Sequence, residues 1–118
     1  MPRAKRGFKR RRRVNKVMDR AEGFVLGRKS QFRRAAEAVD WSLEYQYRDR
    51  RRKKRDMRSL WISRISAACQ ANDLSYSRLI WGLGKAEVNL NRKVLSDIAI
   101  HDPKGFSAIV ETARAAIA

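Results

Sequence analysis

Nine consecutive residues, Arg48-Asp49-Arg50-Arg51-Arg52-Lys53-Lys54-Arg55-Asp56, are charged, and seven of them are basic. No Gly or Pro interrupts the chain between Arg28 and Trp81, so the backbone chemistry permits one helix straight through the block. A helix charged on every side cannot bury itself in protein. It either stays disordered through self-repulsion or is ordered by a polyanion that supplies the counter-charge. The flanks favour the second outcome. Phe32, Ala35, Ala36, Val39 and Leu43 upstream, and Met57, Leu60, Trp61, Ile65 and Ala68 downstream, recur at three- and four-residue spacing, so helical pattern enters the block and leaves it. A continuous helix from about Ser30 to Ala71 is expected, roughly 60 Å long at 1.5 Å per residue. That is far longer than a domain of this size needs.

The charge is unevenly divided. Residues 1–58 carry 22 Lys and Arg against 7 acids, a net of +15, whereas residues 59–118 carry 7 against 5, a net of +2. A chain of 118 residues has room for one small core and an extension. The expected organisation is a basic extension over 1–58, an arm followed by a long helix, and a compact helical domain over 59–118. A net charge of +17 in so short a chain calls for an anionic partner. Nucleic acid fits. An anionic membrane fits less well, because an interfacial helix needs a broad apolar face and the central block has none.

Other classes are excluded more simply. No run of 18 apolar residues exists, and Met1 to Val14 lacks the apolar centre of a signal peptide, so a cytosolic location is expected. Cys69 is the only cysteine, which rules out an internal disulfide and a cysteine-ligated zinc site. Its place on the apolar face of the long helix points to packing. His101 is the only histidine and is expected at a helix end. No nucleophile lies beside a base, no Gly-rich phosphate loop occurs, and no metal-ligand spacing is present. Neither an enzyme nor a cofactor site is expected.

Along the chain, Arg3, Lys5, Arg6, Lys9, Arg10, Arg11, Arg12 and Arg13 place eight positive charges and no negative one in thirteen residues. Such a stretch cannot fold by itself, and it reads as an arm that follows phosphates. A short helical pattern of Val14, Val17, Met18 and Ala21 then carries Lys16 and stops at Gly23. Phe24, Val25 and Leu26 form a small apolar knot before Gly27. Arg28, Lys29, Arg33 and Arg34 restart the positive charge at the beginning of the long helix, where they oppose its dipole unless phosphates neutralise them.

Asn72 and Asp73 end the long helix, and three short helices follow. Ser75 caps the first, with Tyr76, Leu79, Ile80 and Leu83; Asn91 caps the second, with Val94, Leu95, Ile98 and Ala99 on one face. Asp102-Pro103 starts the third, which carries Phe106, Ile109, Val110, Ala113 and Ile117. Together with Leu60, Trp61 and Ile65 these are expected to form one core. The fold class is therefore all-α.

A basic-region zipper is excluded, because the apolar stripe after the block lasts under two heptads. A nucleoid-type DNA-binding protein is the alternative reading. A long naked helix of dense charge suits a groove between folded RNA elements better than a smooth duplex.

Several stretches match a known pattern. Tyr47-Arg48-Asp49-Arg50-Arg51-Arg52-Lys53-Lys54-Arg55, then Leu60-Trp61-Ile62-Ser63-Arg64-Ile65 and Ala67-Ala68, resemble the central signature of the bacterial large-subunit ribosomal protein L-twenty family. Met1-Pro2-Arg3-Ala4-Lys5-Arg6-Gly7 resembles its opening. Ser75-Tyr76-Ser77, Arg92-Lys93-Val94-Leu95 and Asp97-Ile98-Ala99 resemble its carboxyl-terminal domain. Ser66 and Cys69 stand where that family usually has Asn and a small residue, and Trp81 stands where a polar residue is common. The resemblance implies a ribosomal protein that binds large-subunit rRNA, adjoins other ribosomal proteins and enters subunit assembly early. The RNA-contacting residues expected are the bases of the arm, Lys16, Arg28, Lys29, Arg33, Arg34, Tyr47, Arg48, Arg50, Arg51, Arg52, Lys53, Lys54, Arg55 and Arg58. Tyr45 and Tyr47 are candidates to stack on bases, and Trp61 is expected in the core.

Overall fold

The computed structural model describes residues 7–117, most of which are helical, with no strand among them. The elements are α1 (Gly7–Arg20), α2 (Gly27–Ser30), α3 (Phe32–Ala71), α4 (Tyr76–Lys85), α5 (Arg92–His101) and α6 (Pro103–Ile117). The chain divides into two compact units, residues 1–51 and 52–118. The 40-residue α3 runs without a break and contributes to both.

In the first unit α1 begins at Gly7, seven residues before the helical pattern expected from Val14. Consecutive Arg and Lys are good helix formers once repulsion is tolerated, and Arg12 lies 4.0 Å over the Phe8 ring one turn back. The helix ends in a turn at Gly23, whose φ of +84° is the left-handed conformation that glycine adopts without strain. Ala21, Ala35 and Val39 form a small buried cluster against Val17, Met18 and Phe24. Of the expected apolar knot only Phe24 packs, while Val25 and Leu26 are exposed. Gln31 is extended and separates α2 from α3, and its carbonyl accepts the first bond of α3 from the Ala35 amide at 2.8 Å.

In the second unit the local signals act as expected. Asp73 adopts a positive φ of 51° after α3. The Ser75 hydroxyl accepts from the Arg78 amide at 3.4 Å, and the Asn91 side chain accepts from the Val94 amide at 2.9 Å. Asp102 Oδ1 accepts from the Gly105 amide at 2.9 Å, with Pro103 in the first helical position where no amide donor is needed. The core joins Ile65 and Cys69 of α3 to Leu79 and Leu83, Leu95, and Phe106, Val110 and Ala113. Leu60 and Val94, expected in that core, are exposed at 40% each, and Trp61 is only half-buried. Leu60 lies five residues before Ile65, outside the part of α3 that joins this core, and stays exposed.

Helices α4 and α6 meet closely at Gly82. A Cβ there would lie 2.5 Å from the Ala113 carbonyl oxygen and 2.9 Å from Ile117 Cδ1. The junction of α3 with α6 is polar. Ser107 Oγ donates to Asn72 Oδ1 at 2.9 Å, Asn72 Nδ2 donates to the Ala68 carbonyl at 2.9 Å, and the Arg114 guanidinium donates to the Asn72 carbonyl.

Candidate nucleic-acid interface

The charged block lies in the middle of α3, and every residue from Leu43 to Leu60 is exposed. Helix satisfies the backbone of this stretch internally, so only side chains remain to meet a partner. Ion pairing within the block is slight: Arg48 Nε lies 2.8 Å from Asp49 Oδ1 and Arg52 Nε 3.6 Å from Asp56 Oδ2, all four side chains well solvated. The bonded Asp49 carboxylate raises the Arg48 pKa further above an already high ordinary value. Solvated pairs of this kind contribute little to stability.

Aromatic rings fix several of the cations. Arg48 Cζ lies 4.6 Å from the Tyr45 ring centroid and Arg51 Cζ 3.6 Å from that of Tyr47. The spacings of three and four residues bring each pair onto one helix face. Each pair is a flat, partly ordered cationic surface, suited to phosphate on its edge and to a base on its face. On α4, Lys85 Nζ lies 4.2 Å from the Trp81 ring centroid, and Trp81 is 52% exposed.

The described residues expected to contact RNA, from Lys9 in α1 to Arg58 in α3, are all exposed. Arg3, Lys5 and Arg6 lie outside the described residues. Arg28 and Lys29 stand on α2, and Arg33 and Arg34 in the first turn of α3, where no acid offsets the dipole. Asp40 and Glu44 form no ion pair with Arg33, Arg34 or Arg48 among the described residues. Sequence reasoning passed over Trp41. Its ring centroid is 5.9 Å from that of Tyr45, and it is 52% exposed. The signal was present in the four-residue spacing to Tyr45, which sets the two rings on one face.

His101 Nδ1 lies 3.1 Å from the Asp97 carbonyl and 3.2 Å from Asp97 Oδ1, at the end of α5. This is a helix-terminal arrangement with no nucleophile beside it. Cys69 is buried in the core, and desolvation raises its thiol pKa. Among the described residues no group of His, Cys, Asp or Glu has the makings of a metal site, and no helix is long and apolar enough to cross a membrane.

The model of the family described as "Ribosomal protein L20" matches residues 3–109. The large ribosomal subunit protein bL20 of Pelobacter propionicus is 61% identical over 117 residues, covering 99% of this chain and 100% of that protein. The bL20 of Geobacter sulfurreducens is 59% identical over 98% of each chain. The bL20 of Sorangium cellulosum is 54% identical over 100% of this chain and 99% of its own length.

Proposed function

Because the chain belongs to the ribosomal protein L20 family, we propose that it binds 23S-type rRNA directly and stabilises the fold of that RNA during assembly of the large subunit. It is a structural constituent of the large ribosomal subunit, located with the ribosome in the cytoplasm, and not an enzyme. The observation that carries the RNA-binding reading is α3, in which an unbroken helix holds seven bases in nine residues with no face to bury. Only an array of phosphates offers enough opposite charge to order such a surface on all sides.

The work is electrostatic and geometric. Side chains of the extension, residues 1–58, neutralise phosphates of rRNA segments that would otherwise repel one another, and the released counterions supply affinity. The compact domain, residues 59–118, recognises an rRNA feature by shape, and neighbouring large-subunit proteins adjoin the assembled chain. Packing of duplex DNA has no support among the relatives, which are named as large-subunit proteins.

Competition tests the reading. Labelled large-subunit rRNA bound to the full chain at physiological salt should resist an excess of random duplex DNA, because the helix needs a groove between RNA elements. Equal displacement by duplex DNA would overturn it.

A further inference from the structure

One feature of the first unit is unlike the rest of its surface. The 23–28 segment and the first half of α3 enclose a groove of about 830 Å³, in the size range of pockets that hold an aromatic ligand. Phe24, Trp41 and Tyr45 line it, with Arg28, Arg34 and Glu37. We infer that this groove receives a single unpaired nucleotide of the bound RNA, with its base stacked on Trp41. The inference deepens the RNA-binding reading and rests on it.

Three observations carry the assignment. First, Trp41 is left out of the buried cluster of Ala21, Ala35 and Val39 and is 52% exposed, although an indole confined to folding would be covered. Second, a row of flat groups is already in place, with Trp41 and Tyr45 in tilted contact. Trp41 lies 5.9 Å from Tyr45 at 40°, and Arg48 lies 4.6 Å over Tyr45, so the positions 41, 45 and 48 follow one helix face as ring, ring and guanidinium. A flat π-face at the open end of such a series is the surface on which proteins stack splayed bases.

Third, the charge of the groove distinguishes base from phosphate. The predominantly basic block of α3 suits phosphate, but the groove's lining holds the carboxylates of Glu37 and Asp49 as well as Arg28 and Arg34, and Ser42 and Gln46 add uncharged polar groups. A phosphate alone would meet repulsion from Glu37. A base presents amino groups for a carboxylate to accept from, while its own phosphate remains free to meet a guanidinium. The surrounding unit, residues 1–51, carries 17 bases against 6 acids, which favours a nucleic-acid segment over a protein loop as the occupant.

The test uses the full chain. With Trp61→Phe and Trp81→Phe, Trp41 is the sole tryptophan and reports on the groove by fluorescence. The probes are an RNA hairpin with one bulged adenosine and the same hairpin with an abasic residue at that position, which have equal numbers of phosphates. The bulged hairpin should quench Trp41 and bind about tenfold tighter than the abasic one. Trp41→Leu in the otherwise unaltered chain should bring that ratio to about one, and Trp41→Phe should preserve most of it.

Equal affinities with unquenched Trp41 would overturn the nucleotide site and leave RNA binding standing. Trp41 emission indifferent to both hairpins but shifted to the blue in the assembled subunit would give the groove to a protein segment instead. Failure of either hairpin to bind at all would overturn the site together with the reading on which it rests.

Discussion

The guanidinium of Arg51 lies 3.6 Å from the ring centroid of Tyr47 and also donates to the Tyr47 backbone carbonyl at 3.0 Å. One turn of helix thus fixes both the plane and the edge of a side chain that would otherwise sample many rotamers. A preordered cation loses less freedom when it meets phosphate. Tyr47→Ala should weaken rRNA binding by roughly 1 kcal/mol, about fivefold, the size of an exposed cation–π contact. Tyr47→Phe should bind as the parent does, since the ring and not the hydroxyl holds the guanidinium. Filter-binding titration of the three proteins decides this. Equal weakening by both variants would show that the hydroxyl carries the effect.

The central block should dominate the salt dependence. Replacing Arg50, Arg51, Arg52, Lys53, Lys54 and Arg55 by Gln keeps good helix formers in α3 and removes six charges. The slope of log affinity against log salt should fall by roughly 0.7–0.9 for each lost phosphate contact. Circular dichroism should report unchanged helix. An unaltered slope would mean that the block faces solvent in the complex.

Two glycines of α4 separate close packing from helix propensity. At Gly82 an added methyl meets the Ala113 carbonyl backbone at 2.5 Å, whereas at Gly84 nothing lies within 4 Å. Overpacking costs about 1–3 kcal/mol, more than the gain of up to about 1 kcal/mol from Ala in a helix. Gly82→Ala should therefore lower Tm by several degrees, and Gly84→Ala should leave it equal or higher. Thermal melts of the full chain read the difference directly.

Cys69 predicts a dependence on alkaline pH. Burial raises the thiol pKa in the folded state, so the native form holds the proton more tightly than the unfolded form. The stability linked to this group is complete below the unfolded thiol pKa of about 8.5. It is lost as pH rises from there through the raised folded value. Cys69→Ala should flatten the loss of Tm above about pH 8.5 while lowering stability at neutral pH through the cavity it leaves. Alkylation by iodoacetamide should be slow in native protein and fast in denaturant.

Signals that act within a few residues were legible from the chain alone. The caps at Ser75, Asn91 and Asp102, the Pro103 helix start and the stop at Asn72-Asp73 depend on local hydrogen bonds and backbone preference, and each lies where the sequence puts it. The exposure of Arg48 to Asp56 was equally determined, because no protein packing compensates so many desolvated charges. Start sites set by a balance of repulsion and propensity were less legible, so α1 runs back to Gly7.

Which apolar residues face a partner was a tertiary decision. Ile65 is buried, Trp61 one turn earlier is half-buried and Leu60 is exposed, because the bundle of α4, α5 and α6 covers only the end of α3. Likewise Val94 and Leu95 are adjacent, and the packing of α5 against α6 buries only the second. The close approach at Gly82 and the open ring of Trp41 belong to the same class. Periodicity says that a helix has an apolar side, but how far along that side another surface reaches is settled only when the distant segments meet.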